Sequence, residues 1–327
     1  MVGADRADDE AEEADRRRFL WLAGAVAVGA GSAISFPAHR LQATGFLREI
    51  VPGVYVRQGV HELVNPANAG HIANVGWVVG EEAVAVVDTG STVAAGRELR
   101  EAIRAVTDLP IRYVIATHVH PDHVFGHAAF LADSPNFVGH RKLPAALDQR
   151  GGFYLDNLME SLGELAEGTE VVMPDLLVED VLDIDLGGRK LTLRAHATAH
   201  TDNDLTVLDQ ASGVLFAGDL LFMERCPVVD GSLLGWVDVI DDIHEIGAKT
   251  VVPGHGPAHA SPPGAFEPQT RYLTTLRDSV RAFLADGGLL EDAVRALPLE
   301  SERPHWALFD ETHGRNISAA YAELEWE

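Results

Sequence analysis

Apolar, β-branched runs recur along the chain at Val54–Val56, Asn74–Val79, Val84–Asp88, Tyr113–Ala116, Leu191–Ala195, Leu205–Leu208, Val214–Ala217 and Thr250–Val252. Each predicts a strand. Helical periodicity predicts helices over Val93–Val106, Leu143–Leu165, Val237–Ile246, Thr270–Leu284 and Ile317–Leu324. The stretch 253–268, rich in Pro and Gly, reads as a loop ahead of C-terminal helices. Strands mixed with helices in this way indicate a layered α/β or α+β domain. No internal repeat interrupts the pattern.

The N-terminal region does not share this pattern. Acids crowd residues 1–15, then Arg16-Arg17-Arg18-Phe19-Leu20 leads into an uncharged stretch that ends at Ala38. Arg-Arg-x-Phe-Leu before a mild, Gly-diluted segment resembles a twin-arginine export signal. The expected location is therefore periplasmic or extracellular, with the export machinery as a partner. An uncleaved anchor is the alternative, since about 20 uncharged residues can just cross a bilayer.

The 327 residues carry 25 Lys and Arg against 50 Asp and Glu, a net charge of −25, with 46% hydrophobic residues. That composition is globular. It argues against a nucleic-acid partner, because such binding relies on basic patches that release counterions. Only Lys142, Lys190 and Lys249 are lysines, so arginine supplies most of the positive charge. The single cysteine, Cys226, rules out an intrachain disulfide and reads as a small structural thiol.

Fifteen histidines change the picture. Within 117–127, His118, His120, Asp122 and His123 offer metal-competent side chains just beyond the predicted strand Tyr113–Ala116. Imidazole and carboxylate without thiolate suit catalytic zinc or iron. His200 follows the strand Leu191–Ala195, Asp219 follows Val214–Ala217 across Gly218, and His255 follows Thr250–Val252. All seven are expected past the C-terminal ends of strands, where loops converge. His118, His120 and His200 can hold one ion and Asp122, His123 and His255 a second, with Asp219 as the bridge. Two such ions would share a water and aim it at an electrophile.

Thr-His-x-His-x-Asp-His-x-x-Gly at 117–126, followed by His200, Asp219 and His255, resembles the metallo-β-lactamase superfamily, as does Val86-Val87-Asp88-Thr89-Gly90. The resemblance covers roughly residues 48–260. It implies an α/β fold, an αβ/βα sandwich with the metals at one edge. In this family the residue matching Asp88 supports the metal loops, and Thr117 and His196 are expected to join it behind the ligands. His120 stands where diiron oxygen reductases carry Glu, and Asp219 where cysteine-ligand lactamases carry Cys. That ligand set looks like glyoxalase II, although its glutathione-gripping basic residues have no specific match here. Ala199 and Asn203 replace common glycines. The segments 54–59, 227–236 and 321–327 further resemble a branch labelled quinoprotein relay system zinc metallohydrolase.

The resemblance implies a metal-dependent hydrolase with two Zn2+, whose bridging hydroxide attacks an ester, thioester or amide carbonyl of a small molecule. Asp122 or Asp219 would move the proton. One Fe2+ in a persulfide dioxygenase, or a metal or sulfur relay protein without turnover, are the rival expectations. The expected organisation is an export signal over 1–38, the metallo-β-lactamase-fold domain over 39–265, and a C-terminal helical extension over 266–327 packed on it. The 230–236 segment, Asp230 to Trp236, is expected either as a substrate-side loop with Trp236 as an aromatic wall or as a hydrophobic clasp. His127 and His140 read as turn or helix residues near the site, and His313 and Asn316 as caps of the last helix.

Overall fold

A computed structural model describes residues 47–262 and 264–327. The expected export segment lies outside the described residues. Among the described residues no helix is long and apolar enough to cross a membrane.

Twelve strands form two sheets in this described part. The first runs in the order β1 (Leu47–Val51), β2 (Val54–Arg57), β3 (Val75–Val79), β4 (Val84–Val87), β5 (Ile111–Ile115), β6 (Asn136–His140), β7 (Leu176–Val178). Pairing is antiparallel from β1 to β4 and parallel from β4 to β7. The second sheet orders β12 (Thr250–His255), β11 (Val214–Phe222), β10 (Leu205–Asp209), β9 (Lys190–Ala195), β8 (Val181–Asp185). Only β11 and β12 in that sheet run parallel. Val54, Val56, Val78, Ala85, Val87 and Ile115 of the first sheet meet Leu191, Leu193, Leu205, Val207, Phe216 and Val252 of the second in one buried layer. Alternating apolar positions on both sheets supply it.

Helices cover the outer faces. Leu99 and Ile103 of α1 (Val93–Val106) pack on Trp77, Val84 and Val86. Thr92 caps that helix by accepting the Ala95 amide at 3.0 Å. The short α2 (Pro121–Val124) leads towards α3 (Leu143–Leu162), whose Leu143, Leu147 and Leu158 bury against Val119 and Phe125. Beyond the second sheet, α4 (Leu233–Glu245), α5 (Glu267–Ala285), α6 (Leu290–Ala296) and α7 (Phe309–Leu324) share one core with β11. The result is the αβ/βα sandwich of the metallo-β-lactamase fold, with C-terminal helices.

Two expected boundaries move in a way that matters. β11 continues through Asp219 to Phe222, and β12 includes His255, so these two side chains sit within strands instead of in loops. Gly218, at φ +53°, breaks the β11–β12 register and lets β11 carry on. A Cβ there would come 2.7 Å from that of Thr117.

Candidate metal centre

β11, β12 and the segments that follow β5 and β9 bring all seven predicted ligands together at one edge. His118, His120, His200 and Asp219 form one group, and Asp122, His123 and His255 a second; within each, the ligand atoms lie within 4.8 Å of one another. Asp219 also joins the two. Its Oδ2 lies 3.4 Å from His200 Nε2 and 3.4 Å from His255 Nε2, while its Oδ1 lies 3.2 Å from His123 Nε2.

Each of the five histidines has an outward nitrogen whose proton has an acceptor. His118 Nδ1 donates to Thr117 Oγ1 at 3.0 Å, because that hydroxyl already donates to Asp88 Oδ2. His120 Nε2 donates to Asp230 Oδ2 at 3.0 Å, and His123 Nδ1 to Asp88 Oδ2 at 2.8 Å. His200 Nδ1 donates to the Val228 carbonyl at 2.7 Å and His255 Nδ1 to that of Ile72 at 2.9 Å. Such outer acceptors fix ring orientation and tautomer and leave the inner nitrogen free to ligate.

The inner nitrogens test whether a cation fits. His120 Nδ1 lies 3.1 Å from His118 Nε2 and 3.0 Å from His200 Nε2. With their protons on the outer side, all three present lone pairs to one point. Burial pushes His118 well below the usual histidine range and His200 down to about 3, despite the pull of Asp219, so no proton relieves that crowding near neutral pH. A tetrahedral zinc site with N ligands near 2.05 Å has edges of about 3.3 Å, so the spacing suits one. Around His123 the balance differs. Burial lowers it, but Asp219, Asp88 and Asp122 together hold it well above the usual range. Without a metal, a proton there answers the same carboxylates that a cation would. His123 Nε2 and Asp219 Oδ1 are nonetheless buried without a hydrogen bond of good geometry. The residues fit two cations.

Asp88 holds this edge from behind the ligands. It sits in the left-handed region at φ +57°, and its Oδ1 accepts the Thr117 amide at 2.8 Å. The strain accompanies a carboxylate that holds Thr117 and His123 at once. Of the two places expected for Trp236, the structure gives the hydrophobic clasp: it is fully buried on α4, its Nε1 donates to Leu220 O at 3.1 Å, and its ring packs 5.2 Å from that of His200, behind the ligand and away from the cavity. Two other expectations are corrected. His196 makes no contact with the ligands: its Nε2 bonds Thr206 Oγ1 at 2.9 Å, across β10. His313 and Asn316 are not caps either, because α7 begins at Phe309 and turns both inward onto Tyr272 Oη, each at 2.9 Å. Burial pushes the Cys226 thiol up to about 12, which makes it inert.

Asp204 was not anticipated. It is fully buried and accepts both the amide and the hydroxyl of Thr201, the residue after His200. Burial outweighs those bonds and raises its carboxyl to about 8. A carboxyl raised on folding stabilises the protein below its unfolded value and loses that contribution as pH rises towards 8. In metal-free protein, Asp204→Asn is therefore expected to melt higher than the wild type at pH 8, with the gap closing towards pH 5. Thermal melts across that range check it.

A cavity of about 470 Å³ opens over the ligands, lined by Asp122, Asp219 and His255 together with Arg150, Phe153, Tyr154, Arg225, Asp230 and Arg315. None of these arginines was singled out for the cavity in the sequence, whereas Asp230 opens the 230–236 segment expected as a substrate-side loop. Asp230 Oδ2 accepts from Arg150 at 2.5 Å and Oδ1 from Arg315 at 2.7 Å. His120 and these two arginines hold the carboxyl below its usual range against the effect of burial.

The pattern describing the metallo-beta-lactamase superfamily matches residues 69–255, more than half of the chain. The chain belongs to that superfamily. Among curated superfamily relatives, a linear primary-alkylsulfatase of a Pseudomonas species is 24% identical over 241 residues, 63% of this chain and 44% of that protein. A beta-lactamase-like protein 2 homolog of Caenorhabditis elegans is 26% identical over 173 residues, 53% of this chain and 52% of that one. The chain thus spans about half the length of the curated relatives it matches. Among solved structures, a metallo-beta-lactamase from Pontibacter korlensis superposes with TM-score 0.57 at 19% identity, covering 70% of this chain and 98% of that one. One from Hirschia baltica gives 0.55 at 19% identity, covering 70% and 97%. These two establish the fold alone.

Proposed function

We propose that this superfamily member is an exported, binuclear zinc hydrolase acting on an ester, thioester or amide carbonyl of a small molecule. The observation that carries the reading is the pair of ligand groups joined through Asp219, with the inner nitrogens of His118, His120 and His200 converging on one point. Two divalent cations held there would supply Lewis acidity and a water of lowered pKa.

The chain's own residues do the remaining work. Asp88, Asp230 and the Val228 and Ile72 carbonyls keep the imidazoles aimed inward. Of the two carboxylates near the reacting atoms, Asp122 is the more open, with its side chain 14% exposed against 3% for Asp219. Burial would raise its carboxyl, but His123 and His255 outweigh that and keep it ionised. It is the group able to accept a proton and pass it to the leaving atom. Phe153, Tyr154, Phe222 and Val228 form a largely apolar wall that orients a substrate. Arg16-Arg17 with Phe19-Leu20 supports the export part of the reading.

The test is elemental mass spectrometry on protein exported by its own signal, paired with a panel of ester, thioester and lactam substrates. The relative named for alkylsulfate cleavage adds a sulfate ester to that panel. Two zincs per chain with turnover are expected. One iron, with oxygen consumed on a persulfide, would overturn the reading, as would a full zinc complement with no hydrolysis.

A further inference from the structure

His255 sits in the run Pro253-Gly254-His255-Gly256-Pro257, at the end of β12. Neither proline has an N–H to give, so the carbonyls around this ligand need donors from elsewhere. Asn74, just ahead of β3 and 4% exposed, supplies them. Its amide donates to the Gly254 carbonyl at 2.7 Å. Its Nδ2 donates to the Pro253 carbonyl at 2.8 Å and to the Pro257 carbonyl at 3.2 Å, which uses both of its protons. Its Oδ1 accepts the Gly59 amide at 3.0 Å. These partners fix which way the carboxamide points, because an N–H can face only its oxygen and the carbonyls only its nitrogen. The loop that begins at Gly59 returns through Ile72, whose carbonyl takes the His255 Nδ1 proton, and Asn74 closes it.

Resting on the two-cation reading, we propose that Asn74 is the positioning residue for His255 and, through it, for the ion shared with Asp122 and His123. The backbone on both sides of the ligand is held by its side chain, and the acceptor behind the ring lies two residues earlier on the same short segment. Orientation of the imidazole therefore comes from the first sheet, although the ligand belongs to the second. None of the bonds made by the Asn74 amide and side chain reaches the elements that carry His118, His120 or His200. Its loss should fall on one ion, as the loss of support behind a ligating histidine does.

The experiment is stepwise chelator titration of the zinc-loaded wild type, Asn74→Ala and Asn74→Ser, with nitrogen-15 spectra of the histidine rings showing which imidazoles lose metal at each step. In Asn74→Ala the ion at Asp122, His123 and His255 is expected to bind about ten- to a hundredfold more weakly, and the ion at His118, His120 and His200 as in the wild type. Asn74→Ser keeps one hydroxyl donor in place of two N–H groups, so it should weaken the same ion less. It carries the test if the alanine variant does not fold. Equal weakening of both ions would mark a merely structural residue and overturn the proposal, as would a wild-type release profile. A wild type that holds fewer than two zincs sinks the binuclear reading instead, and the spectra of metal-free protein then decide the positioning alone. There His255 is expected to carry its proton on Nδ1 in the wild type and to become a mixture of tautomers in the variants, with His118 and His200 unchanged. An unmoved His255 would then overturn the proposal.

Discussion

With two zincs and hydrolysis as proposed above, Asp219→Ala is expected to reduce the zinc content to one ion or none, and hydrolysis by about a thousandfold or more. Loss of an outer partner typically costs only ten- to a hundredfold, and Asp219 is not an outer partner: it faces both ligand groups. Its carboxylate is held well below the usual range because the pull of His255, His123 and His118 outweighs burial. Removing it leaves four imidazoles, His118, His123, His200 and His255, without their common counter-charge. Asp219→Asn separates shape from charge and should lose metal nearly as severely. Gly254→Ala offers the same test without touching a ligand. A Cβ at residue 254 would come 1.9 Å from Asp219 Oδ1, closer than any real contact, so the carboxylate must leave its place. Elemental analysis and chelator competition report the outcome for all three variants. Two tightly held zincs in Asp219→Ala would refute the bridge.

Much of this site could be read from the sequence because its ligands are tied to strand ends, and strand ends are marked by local patterns. The runs before His118, Asp219 and His255 each terminate in the ligand region, and hydrophobic alternation finds such runs. What local pattern could not supply was the partner across the site. Asp230 bonds a histidine 110 positions away and Arg150 another 80 away. No periodicity encodes those distances.

For Trp236 the sequence left wall and clasp open, because the expected helix starts at Val237, four residues later than the observed Leu233. With α4 starting at Leu233, behind the Ser232 cap on the Gly235 amide, Trp236 joins Val239, Ile240 and Ile243 on one buried stripe. A capping Ser followed by that spacing was present in the sequence. The edge strands β7 and β8 were also missed, because their residues are partly exposed and too few to show a clear alternation. β6 was missed although it is mostly buried, for it contains Asn136, Gly139 and His140 among its five residues.

Asp230→Ala is expected to weaken zinc at His118, His120 and His200 by about ten- to a hundredfold, the usual cost of removing an acceptor behind a ligating histidine. The ion at Asp122, His123 and His255 should be held nearly as before. The reason lies in how the C-terminal helix is used. From α7, Asn316 Oδ1 accepts the Val229 amide at 2.9 Å and its Nδ2 donates to the Pro227 carbonyl at 2.7 Å. Further along the helix, Glu323 accepts the Ser232 hydroxyl at 2.5 Å and the Leu233 amide at 2.7 Å. The strap from 227 to 234 is thereby fixed at both ends. Between those ends, the Val228 carbonyl orients His200 and Asp230 orients His120. A helix distant in sequence thus sets two of the three imidazoles that converge on one point. Asp230→Asn keeps a carbonyl able to accept from His120 but lacks the charge that answers Arg150 and Arg315, so its zinc affinity should fall between the two. Stepwise chelator titration distinguishes the outcomes, because loss confined to one ion gives two separated release phases. A single unaltered release profile in Asp230→Ala would confine Asp230 to pairing the arginines.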